Sequence, residues 1–142
     1  MASEKGRDIA ILRLWIDRRL EDVALIGYAV RGVCRGKGMS AKDADDVELA
    51  VCESVNNVVR HGHACRSGEN VEVMVRAEER QLAVEIMDCA GPDEPIEPQE
   101  PASVDCLPEG GLGLYIIHSL MDRVEHLEHA GRIVLRMTKQ YR

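Results

Sequence analysis

The sequence predicts an α+β protein, a two-layer sandwich with helices on one face of a mixed, mostly antiparallel sheet. Residues 18–35 and 40–61 carry apolar side chains at spacings of three and four, as amphipathic helices do. Short apolar or alternating runs, which are typical of strands, lie before and after them. The predicted order is β-α-α-β-β-loop-α-β-β. This order places paired strands beside helices, as in a two-layer α+β fold.

The composition is that of one globular domain with an aliphatic core. The chain has 142 residues, 45% of them hydrophobic, and it contains no Phe. We therefore expect residues 1–142 to form a single domain. The net charge of −7 argues against a general nucleic-acid surface or an anionic membrane partner. It leaves room for a basic protein partner.

Several features predict a cytoplasmic protein that makes no membrane contact. No run of eighteen apolar residues is present, and the N-terminal MASEKGRD lacks the apolar part of a signal peptide. The five cysteines are odd in number and include no CxxC pair, as is typical of reduced thiols. The histidine pairs at 61/63 and 126/129 have no Cys or carboxylate set at zinc-like spacing, so no zinc site is predicted.

The first three elements are a strand and two helices. Residues 9–16, IAILRLWI, are short, apolar and rich in Ile and Leu, as in a strand. A helix over residues 18–35 should end at the following Gly-Lys-Gly sequence. Ser40 is a suitable N-cap for the next helix, residues 40–61, with Asp43 at the capping-box position. The core-facing stripe of this helix comprises Val47, Ala50, Val51, Val55 and Val58.

The second half of the chain begins with a predicted hairpin. Residues 71–77 and 82–88 alternate apolar and polar side chains around a short turn, so they should pair antiparallel with one face buried. Residues 91–110 contain all five prolines and neither Lys nor Arg. A loop this long inside a small domain is usually functional or disordered. The GGLGL sequence opens a helix predicted to run through Arg123, and strands are predicted at 124–129 and 133–139.

Three sites carry candidate chemistry. Glu53 and Asn57 are four residues apart, so they share one helical face and reach the same small volume. Alternatively, both belong to the solvated flank of the helix. Asp88, at a strand end, is either a turn former or an acceptor for a ligand's exocyclic amine. Gly111 and Gly113 precede a helix N-terminus, where unpaired N–H groups suit phosphate, although a GxG sequence also marks ordinary turns.

Taken in series, these motifs resemble the GHKL ATPase superfamily and, within it, the RsbW/SpoIIAB-type anti-sigma factor serine kinases. ESVNNVVRHG at 53–62 is similar to their N-box, and DCAGP at 88–92 to their first glycine box. GGLGLYIIHSLMD at 110–122 is similar to their second glycine box and its helix. The resemblance runs from about Ile9 to Lys139. It implies the Bergerat-type ATP-binding fold, with an ATP lid at about residues 89–112.

The resemblance also implies site residues and cofactors. Glu53 matches the general base that takes the proton from the substrate serine, and Asn57 matches the Mg²⁺ ligand. Asp88 matches the acceptor for the adenine amino group. ATP and Mg²⁺ are the implied cofactors. The other implied ATP-binding positions are Arg60, His61, Gly111, Leu112, Gly113, Leu114 and Thr138.

The implied function is that of an ATP-dependent protein serine kinase and partner-switching regulator. Such a protein phosphorylates a STAS-domain antagonist, sequesters a second partner such as a sigma factor, and commonly forms a homodimer. Two departures keep another hypothesis open. Ala90 stands where the family usually has glycine, and Glu109 stands where some relatives carry arginine. The alternative is a nucleotide-gated binding module that sequesters its partner without significant kinase activity.

Overall fold

The computed structural model describes residues 10–61, 70–89, 111–129 and 132–142. The described elements follow the predicted order. The strands are β1 Ala10–Asp17, β2 Asn70–Ala77, β3 Gln81–Cys89, β4 Arg123–His129 and β5 Arg132–Gln140. The helices are α1 Val23–Gly36, α2 Ala41–His61 and α3 Gly111–Leu120.

The five described strands form one sheet in the order β1-β2-β3-β5-β4, and each pair of neighbours is antiparallel. The predicted hairpin is confirmed: β2 pairs with β3, with Val75 opposite Val84. The Glu78 N–H donates to the Gln81 carbonyl at 2.8 Å across the turn. Alternation along β2 and β3 buries one face of the sheet. The buried residues there are Val71, Val73, Val75, Ala77, Leu82, Val84 and Ile86.

The helices cover that buried face. Helix α2 lies in the middle of the helical layer, packed against α1 on one side and α3 on the other. The core between the layers is aliphatic, as the composition predicts, and its largest fully buried side chains are Ile26, Met39, Leu82, Ile86, Ile117 and Met137. The predicted two-layer α+β architecture is therefore confirmed. None of the described helices is both long and apolar enough to cross a membrane.

The junction between α1 and α2 has the predicted capping geometry. Gly38 has a φ of 88°, its N–H donates to the Arg35 carbonyl, and the Met39 N–H donates to the Cys34 carbonyl. This is a Schellman ending, in which glycine tolerates the left-handed conformation that other residues avoid. Ser40 then caps α2, because its Oγ accepts a 3.1 Å hydrogen bond from the Asp43 N–H.

Two helix boundaries differ from the prediction. The first helix was expected from Arg18, but a 3₁₀ turn at Leu20–Asp22 comes first, after an extended Arg19 with φ −133°. The last helix was expected to continue through Arg123, but it ends at Leu120. The chain leaves the helix because it joins the sheet at this point. The Asp122 N–H donates to a β5 carbonyl, and Arg123 is already paired with β5.

Candidate active site

The candidate site is built on the face of α2 that is turned towards α3. Glu53 and Asn57 both belong to α2, and both side chains are half-buried. One helical turn separates them, so a carboxylate and a carboxamide lie side by side, as their spacing predicts. A fully solvated flank would leave both side chains exposed, and the structure does not do so.

Gly113, in the first turn of α3, lies directly against these two side chains. A Cβ placed on Gly113 would be 3.0 Å from Glu53 Oε2 and 3.5 Å from both Asn57 Nδ2 and Asn57 Oδ1. Among the described glycines only Gly38 has a positive φ, so Gly113 is needed for space rather than for an unusual backbone conformation. The structure thus brings a carboxylate, a carboxamide and a helix N-terminus together from two elements far apart in the chain.

Ser54 anchors this part of α2 to the sheet, and the sequence reasoning did not single it out. It is 1% exposed, donates to the Ala50 carbonyl at 2.7 Å, and lies 3.1 Å from Met137 Sδ of β5. The available signal was its position within the apolar stripe, where a buried hydroxyl needs a partner. Ser54 therefore gives α2 a polar contact with β5 at the position next to Glu53.

Cys52, the other neighbour of Glu53, remains a neutral thiol. Burial raises its pKa, and the nearby carboxylates of Glu48 and Glu53 raise that pKa further. A thiol is a poor nucleophile compared with a thiolate. The raised pKa therefore disfavours Cys52 as a nucleophile at this surface.

The other implied nucleotide residues lie near the ends of these elements. Arg60 is exposed in the last turn of α2, which ends at His61. Leu114 is half-buried in the first turn of α3. Asp88 is near the end of β3, and its backbone position pairs with Ile133 of β5. Three of the implied residues have side chains outside the described part of the structure: His61, Asp88 and Leu112.

Thr138 is not brought together with the rest of the site. It lies opposite Ala83 in the sheet and is 8% exposed, with Glu85 and Arg136 on the same sheet face. Side chains alternate along a strand, so Thr138 and its buried neighbour Met137 point to opposite faces. Met137 contacts α2, which leaves Thr138 on the far side of the sheet from Glu53.

Most of the predicted lid lies outside the described residues, as do Ala90 and Glu109. Within the described part of the chain, no three His, Cys, Asp or Glu side chains converge as a ready metal site. Mg²⁺ that arrives with a nucleotide takes one or two protein ligands and fills its other positions with phosphate oxygens and water. A side-chain amide oxygen, such as that of Asn57, is among the oxygen donors that such a cation accepts.

Comparison with known proteins places this geometry in a family. A family model described as the histidine kinase-like ATPase domain matches residues 16–139. A protein of Bacillus pumilus named serine-protein kinase RsbW is 33% identical over 140 residues, covering 92% of this chain and 86% of the relative. The Bacillus thuringiensis protein of the same name is 30% identical, covering 90% of this chain and 83% of the relative.

A solved structure shows the same fold. The crystal structure of the RsbU and RsbW domains of a Mycobacterium tuberculosis protein superimposes with a TM-score of 0.68 over 94% of this chain, at 17% identity. This chain spans 33% of the length of that protein. Taken with the family model and the curated relatives, the chain belongs to the histidine kinase-like ATPase family and, within it, to the RsbW serine-protein kinases.

Proposed function

We propose that the chain uses ATP to phosphorylate a serine of a STAS-domain antagonist, and that it sequesters a second protein, such as a sigma factor, in a partner switch of the anti-sigma factor type. One observation carries the proposal: Gly113 leaves room for the Glu53 carboxylate and the Asn57 carboxamide at the first turn of α3. Phosphoryl transfer needs few protein groups beyond a proton acceptor, a metal ligand and N–H donors for phosphate. These three kinds of group lie together here.

Each residue then has a chemical role. The Glu53 carboxylate accepts the proton of the substrate serine as its oxygen bonds to the γ-phosphorus and the bond to ADP breaks. The Asn57 oxygen would hold Mg²⁺, which when bound neutralises charge on the phosphate oxygens. Asp88 is proposed to accept the adenine amine. The proposed phosphate contacts are Arg60, His61 and the α3 N-terminal residues Gly111, Leu112, Gly113 and Leu114, with the lid at about 89–112 closing over them.

The proposal also covers the docking partner, the location, the oligomeric state and the extent of the domain. The acidic net charge of −7 suits a partner with a basic docking surface. We propose a cytoplasmic location, because an antagonist and a sigma factor would be met there. The proposed homodimer follows from the family resemblance. Residues 1–142 are taken as one ATPase domain.

Two variants of α2 test the roles. Glu53→Gln preserves size and one acceptor but cannot take up the serine proton, so phosphate transfer should fall by about 10²–10⁴-fold with ATP affinity nearly unchanged. Asn57→Ala should lose Mg²⁺-dependent ATP affinity as well as rate. Calorimetric titration measures ATP affinity, and single-turnover assays with candidate STAS-domain antagonists measure the rate of phosphate transfer. Transfer at the parent rate by Glu53→Gln would remove Glu53 as the base.

The same experiment separates the kinase from the binding module. Ala90 and Glu109 are the sequence features that favour a protein that binds nucleotide and partner without transferring phosphate. If the parent binds Mg·ATP and captures a partner, yet mass spectrometry finds no phosphoserine on any antagonist, the binding module replaces the kinase.

A further inference from the structure

A contact with the end of α2 involves Arg18, a residue that lies outside the family motifs. Arg18 follows β1 at a bend, where its side chain is half-buried. Its Nη1 donates a 2.8 Å hydrogen bond to the backbone carbonyl of Val58, 40 positions along the chain. Val58 immediately follows Asn57 in the sequence. The contact therefore joins the end of an edge strand to the turn of α2 that carries a candidate site residue.

The physical chemistry of a helix terminus explains why a cation lies there. Helix α2 ends at His61, so the Val58 carbonyl lies in its last turn, and a carbonyl oxygen has two lone pairs with which it can accept a side-chain donor. The negative end of the helix dipole also favours a cation at this point. A guanidinium supplies both charge and a directed N–H donor, and charge-assisted hydrogen bonds are stronger than neutral ones.

We propose that Arg18 is a positioning residue for the candidate active site. It binds the last-turn carbonyl of α2 and so holds Asn57 and Arg60 at a fixed height and rotation relative to α3. The proposal rests on the proposed function, because it assigns Arg18 to the same phosphoryl-transfer site. Arg18 acts through the α2 backbone and takes no part in the chemistry.

The site is sensitive to such positioning because it is narrow. A Cβ built on Gly113 would lie only 3.0 to 3.5 Å from atoms of the Glu53 and Asn57 side chains, so there is little free space between α3 and this face of α2. Helix ends fray when their carbonyls lose a partner, and a shift of about 1 Å in a catalytic group costs on the order of 10²-fold in rate. A small movement of the last turn would therefore displace Asn57, the proposed metal ligand, before it disturbed the packing of the core.

The chain offers a matched control on the other helix of the site. Lys139 of β5 donates a 2.7 Å hydrogen bond from Nζ to the Leu120 carbonyl, the last residue of α3. This is the same kind of contact, a cation on a C-terminal carbonyl. It lies at the end of α3 remote from Gly113, on the order of 10 Å along the helix axis. Removing it should loosen a helix end without disturbing the site.

The experiment compares Arg18→Ala, Arg18→Lys and Lys139→Ala with the parent. Three quantities are measured: single-turnover phosphate transfer to the antagonist, Mg·ATP and Mg·ADP affinity, and hydrogen exchange of the amides at residues 58–61. Arg18→Ala should lower transfer roughly 10-fold, weaken both nucleotides and speed exchange at 58–61. Arg18→Lys keeps a donor and a charge, so transfer should return to within about 3-fold of the parent. Lys139→Ala should lose thermal stability but keep parent-like transfer and nucleotide affinity.

Two results would overturn the proposal. The first is Arg18→Ala with parent-like transfer, nucleotide affinity and exchange. The second is an equal loss of transfer in Arg18→Ala and Lys139→Ala at equal loss of thermal stability, which would mean general destabilisation. A parent that transfers no phosphate overturns the proposed kinase function instead. Arg18 is then judged on Mg·ADP affinity and amide exchange, and parent-like values for both reject its positioning role.

Discussion

At the scale of single residues, the absence of a side chain at Gly113 allows α3 to lie close to Glu53 and Asn57. Because a Cβ added at Gly113 would lie 3.0 Å from Glu53 Oε2, Gly113→Ala should displace the carboxylate or the start of α3 by a few tenths of an ångström. We expect phosphate transfer to fall by about 10- to 100-fold. The free energy of unfolding should hold or rise, since alanine favours a helix over glycine by up to about 1 kcal/mol.

The measurement pairs single-turnover transfer with urea unfolding of the same Gly113→Ala preparation. Gly32→Ala is the control, since no atom lies within 4 Å of its added Cβ. A parent-like rate in Gly113→Ala would mean that the close approach has no role in catalysis.

At the scale of elements, the packing of α1 on α2 depends on a second close approach. A Cβ on Gly27 would lie 2.6 Å from Cys52 Sγ and 3.3 Å from Glu48 Cγ. Gly27→Ala should therefore lower the free energy of unfolding by about 1–3 kcal/mol, as overpacked interiors do. Gly32→Ala, on the exposed side of α1, should raise it by up to about 1 kcal/mol.

Cys52→Ala in the Gly27→Ala background tests whether contact with the Cys52 sulfur causes the loss of stability. It removes the sulfur that the new methyl group meets, so part of the lost stability should return, and a double-mutant cycle by urea unfolding measures the coupling. Strict additivity of the two changes would show that the Gly27 contact is not with Cys52.

At the scale of the whole molecule, two half-buried histidines tie stability to pH. Burial lowers the pKa of His118 on α3 below its ordinary 6.5. The pKa of His126 on β4 is lowered by burial and then by the charge of His118. The Nε2 atom of His118 is buried and has no hydrogen-bond partner among the described residues. Both shifts favour the neutral imidazole in the folded chain over the unfolded one.

The sign of the pH dependence follows from these shifts. With the folded-state pKa below the unfolded one, the unfolded chain binds more protons, so stability rises with pH. The stability that the two buried imidazoles contribute is fully present above about pH 6.5, and it is lost as the pH falls through their folded-state pKa values. Urea unfolding at pH 7.5, 6.5 and 5.5 should show this loss, and His118→Gln or His126→Gln should flatten it. Equal slopes in parent and variants would contradict the assignment.

The sequence by itself determined those structural features that depend only on interactions between neighbouring residues. The order of strands and helices, the Ser40 cap, the end of the first helix at its Gly-Lys-Gly sequence and the alternation of the β2–β3 hairpin all depend on residues within a few positions of one another. The spacing of Glu53 and Asn57 belongs here as well, because helical geometry alone puts them side by side. Such features are readable because backbone hydrogen bonding and side-chain periodicity act over one or two turns.

Only the tertiary structure decided how distant segments meet. The contact of Gly113 with the α2 pair, the early end of α3 at Leu120 and the bond from Arg18 to the Val58 carbonyl each join residues far apart in the chain. The face of Thr138 belongs here too, since it depends on which side of β5 the helices cover. In β5 apolar side chains fall on both faces, with Ile133, Leu135 and Met137 on one and Val134 on the other, so its alternation is less clear than that of β2 and β3 and does not by itself say which face the helices cover. That choice follows from packing the whole helical layer, a sum over contacts that no local pattern contains.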